Sequence, residues 1–429
     1  MIYEAISMKT LINKIIKNKE YKTLVENFAS LSGLQIASYI LPLITLPYLV
    51  RVLGPEKYGS IAFATAFVTY FQWLTDYGFN LSSTREISLN KDDKNKISTI
   101  FSSVMVIKFS LLVLSFIILS VVVFSFTKFR SDWLIYFFAF GMVVGNVLFP
   151  TWFFQGMEKM KYITVLNIIA KVIFTILIFV FIREASDYLY VLLINSAGMI
   201  LVGIIAIIIV YNDFGIKLKI PKTHEIKQQL KDGWHVFIST VSISLYTTSN
   251  SFILGLLTNN TFVGYYAAGE SIVTAIMGLW TPVSQTLYPY FSRLHSESKE
   301  LAKKHLRKIL IYTSFITFTL SVLFSLSAPF IVKIILGSNY TASIIIVQIL
   351  VFILFAIGIN NIMGIQGLVA FGYSNVFSKI VVFAGLVHLV IIITLIYLFG
   401  YVGAAVAVVN TEIVIAIIEY FAIRRLKLL

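Results

Sequence analysis

The chain has 429 residues, of which 58% are hydrophobic and 13% charged, and it carries a formal net charge of +14. Soluble domains carry about 25% charged residues, so this composition excludes a water-soluble core. The absence of Cys excludes disulfides, thiolate nucleophiles and Cys-based metal sites.

The first 26 residues predict a basic cytoplasmic segment. Ile12, Ile15 and Ile16 alternate with five Lys residues, a pattern typical of a short amphipathic helix at a membrane surface. A disordered, solvated tail remains open as the alternative. The long apolar run that follows lacks the small-residue cleavage site of a signal peptide, so we expect no cleavage.

Residues 27–88 predict a helical hairpin that crosses the membrane twice. No residue is charged from 28 to 50, and about 20 such residues cross a bilayer core as a helix. The turn LGPEKYG at 53–59 follows. An uncharged run from 60 to 73 then carries the chain back across the membrane. Residues 234–293 repeat this plan weakly at an offset of about 205 residues, which is typical of transporters. In this alignment Gly264 lies opposite Gly59.

The whole chain predicts an all-α polytopic membrane protein with twelve transmembrane helices in two six-helix lobes around a central cavity. If both termini are cytoplasmic, 26 of the 34 Lys and Arg residues lie on the cytoplasmic side and 6 on the other. This split follows the positive-inside rule, so the basic charge indicates topology and excludes a nucleic-acid surface. The predicted spans are 28–53, 58–80, 99–126, 132–155, 161–182, 187–211, 234–257, 262–290, 309–336, 341–370, 378–399 and 401–423.

The predicted domains follow from one long loop near the midpoint. The basic segment 1–26 is followed by a first lobe at 27–211, a cytoplasmic linker at 212–233 and a second lobe at 234–429. No loop is long enough to fold as a soluble catalytic domain.

Three motifs carry a resemblance to a known family: LGPEKYG at 53–59, DYGF at 76–79 with REI at 85–87, and WFFQGMEKM at 152–160. Together they resemble the Wzx-type O-antigen flippases of the multidrug/oligosaccharidyl-lipid/polysaccharide exporter superfamily, over essentially the whole chain. The resemblance implies a bacterial inner-membrane flippase that moves undecaprenyl-pyrophosphate-linked oligosaccharides to the periplasmic leaflet by alternating access. It implies no catalytic residue. A polymerase and a chain-length regulator of the same pathway are possible partners, beside the substrate and membrane lipid.

Four basic residues are candidates for binding the pyrophosphate. Lys108 and Lys171 fall near the membrane midplane of the first lobe, where an ionisable side chain faces a cavity or a partner by default. We place no carboxylate at their depth in that lobe, and internal pairing or snorkelling is the alternative for both. Arg51 and Arg85 flank the cavity mouths, where interface anchoring, or for Arg85 pairing with Asp76, is equally consistent.

The second lobe carries acidic residues within its predicted spans. Glu270, Glu412 and His388 are candidates for coupling to a H⁺ or Na⁺ gradient, because buried carboxylates and histidines carry protons or bind cations in coupled transporters. Structural hydrogen-bond networks are the alternative. Glu419 lies near the cytoplasmic edge beside Arg424, so we expect it to be solvated. We predict no cofactor and no metal site.

Aromatic residues gather at the predicted cytoplasmic ends of spans two and four, around Trp73 and Trp152–Phe154. The pattern favours an interfacial aromatic belt, with sugar stacking at the cavity entrance as the alternative.

Two other functional classes compete with the flippase. A multidrug/cation antiporter of the same superfamily also uses an acidic cavity residue, whereas the midplane lysines favour an anionic substrate. A polysaccharide polymerase, which is an enzyme, usually carries a large periplasmic loop, and no outer loop predicted here exceeds about six residues.

Overall fold

The computed structural model of the chain describes residues 19–278 and 280–428, and these residues form helices with no β-strand among them. The predicted all-α fold is therefore confirmed. Of the predicted N-terminal segment, residues 1–18 lie outside the described part.

The helices follow one another with short connections. The first lobe contains α1 (Lys19–Asp76), α2 (Phe79–Leu89), α3 (Lys94–Ser125), α4 (Thr127–Arg130), α5 (Trp133–Leu148), α6 (Thr151–Gly156), α7 (Met160–Phe181) and α8 (Tyr188–Asn212). The rest comprises α9 (Thr223–Thr247), α10 (Asn250–Leu257), α11 (Asn260–Met277), α12 (Trp280–Glu297), α13 (Lys299–Ile335), α14 (Ser343–Leu350), α15 (Ile353–Asn360), a π-helix (Asn361–Val369) and α16 (Ser374–Arg425).

Seven helical stretches of the described residues are long and apolar enough to cross a membrane. One of them, α16, breaks at Gly400 (φ 57°), and each of its two parts is about 38 Å long, enough to span a bilayer. The even longer α1 breaks at Gly54 (φ 69°), inside the turn predicted at 53–59. Large apolar side chains cover the outside of the protein, such as Phe315 at 72% and Leu326 at 74% exposure. The chain is a multi-pass membrane protein, and the count of twelve spans stays a prediction.

The two lobes share one hydrophobic core at the end of the molecule that carries Gly54 and Gly400. We call this end the sealed face. Phe63 and Phe67 of α1 stack on Phe252 of α10, with ring centroids 5.5 and 5.4 Å apart. Burying such aromatic surface stabilises the contact between the lobes.

Two basic residues of the first lobe close the sealed face further by binding helix C-termini of the second lobe. Lys128 donates to the carbonyls at the end of α10, including Thr258 O at 2.9 Å. Arg51 donates to Ile334 O near the end of α13. The last carbonyls of a helix lack intrahelical donors and carry partial negative charge, so cations are favourable there.

A pair of glycines brings α1 and α11 together in this seal. A Cβ atom on Gly59 would overlap the carbonyl of Asn260, and one on Gly264 would overlap the carbonyl of Pro55. The Asn260 amide also donates to Ser60 Oγ at 2.8 Å. Gly59 and Gly264 are the positions that the sequence repeat aligns, so the two repeats meet at equivalent glycines.

The opposite end of the molecule, which we call the open face, has a separate core in each lobe. The first-lobe cluster includes Trp152, Phe153 and Phe154, and the second-lobe cluster includes Phe291 and Leu306. Because the lobes share a hydrophobic core at the sealed face and have separate cores at the open face, the space between them is closed towards the sealed face.

The predicted linker at 212–233 is a loop only in its first part, because α9 already begins at Thr223. This first half of α9 packs on the first lobe. Gln229 donates to Glu86 and accepts from Ser83 Oγ at 3.3 Å, and Phe237 stacks on Tyr77. Helix α9 therefore bridges the two lobes.

Candidate functional site

A central cavity of about 670 Å³ lies between the lobes, bordered by α1, α9, α10 and α11. Its polar lining consists mainly of hydroxyl groups, and Glu270 is the one carboxylate among the described lining residues. The hydroxyl-bearing residues are Ser38, Thr45, Tyr58, Thr65, Thr69, Thr247, Thr248, Ser251, Ser271 and Thr274. Hydroxyl groups both donate and accept hydrogen bonds, so this lining can bind a polyhydroxylated ligand.

Lys171 lies beside this cavity, in an adjoining space of about 250 Å³. Its ammonium donates to Ser38 Oγ at 2.7 Å, and Pro42 and Thr45 border both spaces. The side chain is half-buried, and no carboxylate of the described part of the chain forms an ion pair with it. Lys171 is thus a cation at the edge of the cavity with a neutral partner.

Lys108, in contrast, is 1% exposed and forms an ion pair with Asp76 Oδ1 at 3.0 Å. The expectation that no first-lobe carboxylate lies at its depth was wrong. Depth counted along one helix does not give the depth of residues on its neighbour, and the end of α1 lies against α3. Lys108 borders none of the described cavities.

The two candidate arginines lie outside the cavities as well. Arg51 binds Ile334 O at the sealed face, and Arg85 is exposed on α2. Asp76, the alternative partner predicted for Arg85, forms its ion pair with Lys108 instead.

The acidic candidates of the second lobe meet around a smaller cavity of about 190 Å³. Glu270 borders both this cavity and the central one, and it accepts a hydrogen bond from Tyr266 at 3.0 Å. Glu412 borders the smaller cavity and accepts from the Asn360 amide at 2.7 Å. Both carboxylates therefore have neutral partners.

His388 is buried beside the same cavity and connects two helices of its wall. Nδ1 lies 2.7 Å from Thr411 Oγ1, and Nε2 lies 2.9 Å from Asn250 Oδ1. Thr411 and Asn250 themselves line the cavity. His388 is therefore bonded to two cavity-lining side chains but does not itself line the cavity.

Glu419 was expected to be solvated, and this was wrong. The side chain is 0% exposed, and neither carboxylate oxygen has a hydrogen-bond partner among the described residues. The sequence signal that could have found it is its spacing of seven residues from Glu412, which places both on one face of a helix.

The aromatic residues Trp152, Phe153 and Phe154 are 0% exposed and belong to the first-lobe core at the open face. Neither the interfacial belt nor sugar stacking describes these three. Pro150 separates α5 from α6 and turns this aromatic segment inward.

Comparison with known proteins agrees with this architecture. The family described as "Polysaccharide biosynthesis protein" matches residues 24–295. A protein of Escherichia coli (strain K12) named "Putative O-antigen transporter" is 35% identical over 412 residues, covering 96% of this chain and 99% of the relative. A Shigella dysenteriae protein of the same name is 30% identical, covering 90% of this chain and 97% of the relative.

Solved structures match the fold at low sequence identity. The "Lipid II flippase MurJ, inward closed conformation" gives a TM-score of 0.73 at 14% identity, covering 93% of this chain and 87% of that one. An inward-facing multidrug resistance MATE family transporter gives 0.69 at 14% identity, covering 92% and 97%. An outward-facing MATE structure gives 0.59, covering 96% and 97%. The chain is a polytopic membrane transporter and not an enzyme, and it belongs to the polysaccharide biosynthesis protein family.

Proposed function

We propose that this protein flips a lipid-linked oligosaccharide across the bacterial inner membrane. The proposed substrate is an undecaprenyl-pyrophosphate-linked repeat unit of O antigen or of a similar surface polysaccharide. The observation that carries the proposal is the cavity of about 670 Å³ between the lobes, whose lining combines hydroxyl-bearing and apolar side chains, with a basic residue at its edge. The names of the two relatives support the saccharide class.

The way the lobes meet supports an alternating-access mechanism. They share a core at the sealed face and have separate cores at the open face, so rocking one lobe against the other would open the cavity to the opposite side. By the positive-inside rule we assign both termini and the open face to the cytoplasm, so the repeat unit enters from the cytoplasmic leaflet.

Lys171 is our candidate for the pyrophosphate contact. Its ammonium is held by a serine hydroxyl and has no described carboxylate partner, so an anionic ligand would supply its counter-ion. Lysine is a point charge on a flexible stem and can follow a phosphate as the lobes move. We do not include Lys108, because Asp76 already neutralises it.

Glu270 and Glu412 are our candidates for coupling the movement to a cation gradient of H⁺ or Na⁺. Each has a neutral hydrogen-bond donor as its partner, so either can bind a cation without first breaking an ion pair. Glu270 borders the central cavity, where its state can affect the substrate site.

The test compares two lysines of the same helix. Deletion of the gene should abolish long surface polysaccharide and leave lipid-linked repeat units facing the cytoplasm. The deletion strain complemented with Lys171→Ala should make at least about tenfold less long surface polysaccharide than the strain complemented with the wild-type gene. This is the effect expected when a charge-assisted contact of at least about 1.4 kcal/mol is lost. The matched control Lys161→Ala, an exposed lysine on α7, should complement like the wild type.

The outcome also separates the flippase from the multidrug/cation antiporter. If deletion leaves surface polysaccharide unchanged and raises drug sensitivity, the antiporter is the right assignment. If Lys171→Ala complements fully at normal protein levels, the pyrophosphate contact lies elsewhere.

A further inference from the structure

Glu419 of α16 is an unusual side chain for a membrane protein. It is 0% exposed, and none of the described residues donates a hydrogen bond to either of its oxygens. An ionised carboxylate is strongly disfavoured in such surroundings, whereas the neutral acid form is tolerated. The residue therefore requires a proton or another cation in this conformation.

The surroundings of Glu419 are built to admit the carboxylate. A Cβ atom on Gly364 of the π-helix would overlap Glu419 Oε1, so only glycine leaves this space free. Two other side-chain oxygens near the π-helix, Asn360 Oδ1 and Gln366 Oε1, are also buried without a described donor. Buried acceptors without donors are rare, and π-helices occur frequently at functional sites.

None of the described residues forms an ion pair with Glu419. The charge that acts on it is Glu412, which has the same sign. The basic residues at this end of α13 and α16 are exposed or bonded to other side chains: Lys299, Lys303, Lys304, His305, Arg307, Lys308, Lys379, Arg424 and Arg425. On α12, Arg293 pairs with Glu297 and the ring of His295 stacks on Phe371. The negative charge of a carboxylate is therefore left uncompensated.

The three carboxylates of the second lobe are arranged in sequence between the open face and the central cavity. Glu419 lies six residues, about 9 Å, from the end of α16 at the open face. Glu412 lies two helical turns, about 10 Å, further in on the same face of the helix. It shares the cavity of about 190 Å³ with Glu270, which also borders the central cavity.

We propose that Glu419 is a proton-binding site and the first member of a carboxylate relay that runs through Glu412 to Glu270. This inference rests on the proposed function, and it names the coupling cation as H⁺. A proton from the open face binds a Glu419 oxygen, passes through water to Glu412, and then through the small cavity to Glu270. Each step breaks one O–H bond and forms another.

A proton fits this site better than a metal cation does. A proton needs a single carboxylate oxygen, whereas a metal ion needs several oxygens around one point. No group of three or more His, Asp or Glu side chains in the described part of the chain could hold a metal. The spacing of about 10 Å along α16 also separates Glu412 and Glu419 too far to share one ion.

The experiment uses purified full-length protein in liposomes with a pH-sensitive dye inside and a lipid-linked oligosaccharide as the substrate. Wild-type protein should transport protons when substrate is present and should move substrate faster with an imposed pH gradient. Glu419→Gln keeps the shape of the side chain. It should lower the substrate-dependent transport of protons, and the acceleration of substrate transport by the pH gradient, by about tenfold each. Substrate exchange without a gradient should be retained. Glu300→Gln, an exposed carboxylate of α13, should behave like the wild type.

A second measurement does not depend on transport. Infrared difference spectra should contain a protonated-carboxyl band that disappears in Glu419→Gln and persists in Glu300→Gln. Gly364→Ala retains the acid but crowds it, so the same band should shift in position.

The outcomes separate the two proposals. If wild-type protein moves no lipid-linked oligosaccharide, the proposed function fails, while the infrared band still tests Glu419. If transport depends on a Na⁺ gradient and not on pH, or if Glu419→Gln retains the band and full proton coupling, the relay is wrong.

Discussion

The two lobes treat their buried charges in opposite ways. In the first lobe, Lys108 is neutralised by Asp76 at 3.0 Å, and the pair lies away from every described cavity. In the second lobe, Glu270 and Glu412 have only neutral donors, and Glu419 has none among the described residues. Both lobes carry ionisable side chains at membrane depth: the first presents a cation, Lys171, beside the central cavity, and the second presents the carboxylates Glu270 and Glu412.

The difference in charge pairing indicates that the two lobes have different roles. A buried ion pair holds its two helices in place, because separating the charges is costly. A buried carboxylate with a neutral partner can change its protonation state without losing a counter-ion. The first lobe is therefore suited to hold the substrate beside Lys171, and the second to respond to a cation.

The largest effect is expected from breaking the ion pair. Asp76→Asn should destabilise the protein by about 3–5 kcal/mol, since it leaves the buried charge of Lys108 unpaired. Lys108→Ala should cost less, because Asp76 is 25% exposed and water can solvate its charge. The double variant Lys108→Met with Asp76→Asn should recover most of this loss. Thermal unfolding in detergent and the amount of protein in the membrane measure both. If Lys108→Ala abolishes transport at unchanged stability, the lysine contacts substrate after all.

A smaller but clear effect is expected where α1 and α11 meet at Gly59 and Gly264 in the sealed face. We call this contact the glycine crossing. Gly59→Ala or Gly264→Ala should push the lobes apart there, because the added methyl group meets a backbone carbonyl that cannot rotate away. The chain has no Cys, so a single Cys in place of Leu49 can be labelled selectively. Its labelling rate reports how easily a thiol reagent enters the cavity through the sealed face. We expect labelling to rise about tenfold, a shift of about 1.4 kcal/mol between the two conformations.

Gly198→Ala is the matched control for this measurement, because nothing lies within 4 Å of its added Cβ. Its labelling rate should equal that of the protein with the reporter Cys alone. Unchanged labelling in both glycine variants would mean that the crossing does not close the cavity.

The smallest change in stability is expected from neutralising a carboxylate of the second lobe. Glu412→Gln retains an acceptor for the Asn360 amide, so stability should change by less than about 1 kcal/mol while gradient-driven transport falls. The comparison with Asp76→Asn is direct, because both variants replace a carboxylate with an amide. A loss of stability as large as that of Asp76→Asn would reveal a cationic partner for Glu412.

The helical membrane class of the protein and two of its helix breaks could be read from the amino-acid sequence alone. Apolar runs of about 20 residues cross a bilayer as helices, because a helix bonds all its backbone groups within the segment, whereas a spanning strand needs only about 10 residues. The glycines that end these runs, Gly54 and Gly400, are where the backbone leaves helical geometry. The opposite sign of the midmembrane charges in the two halves was also readable from the chain.

Which charges face the cavity depends on how the helices pack, and this could not be read from the sequence. The position of a residue along a helix gives its depth, whereas its partner depends on the rotation of that helix and on the neighbour it meets. Lys108 and Lys171 have nearly equal predicted depths, yet one binds Asp76 in the core and the other binds Ser38 beside the cavity. Glu419 is buried for the same reason, because Gly364 of the π-helix lies across it.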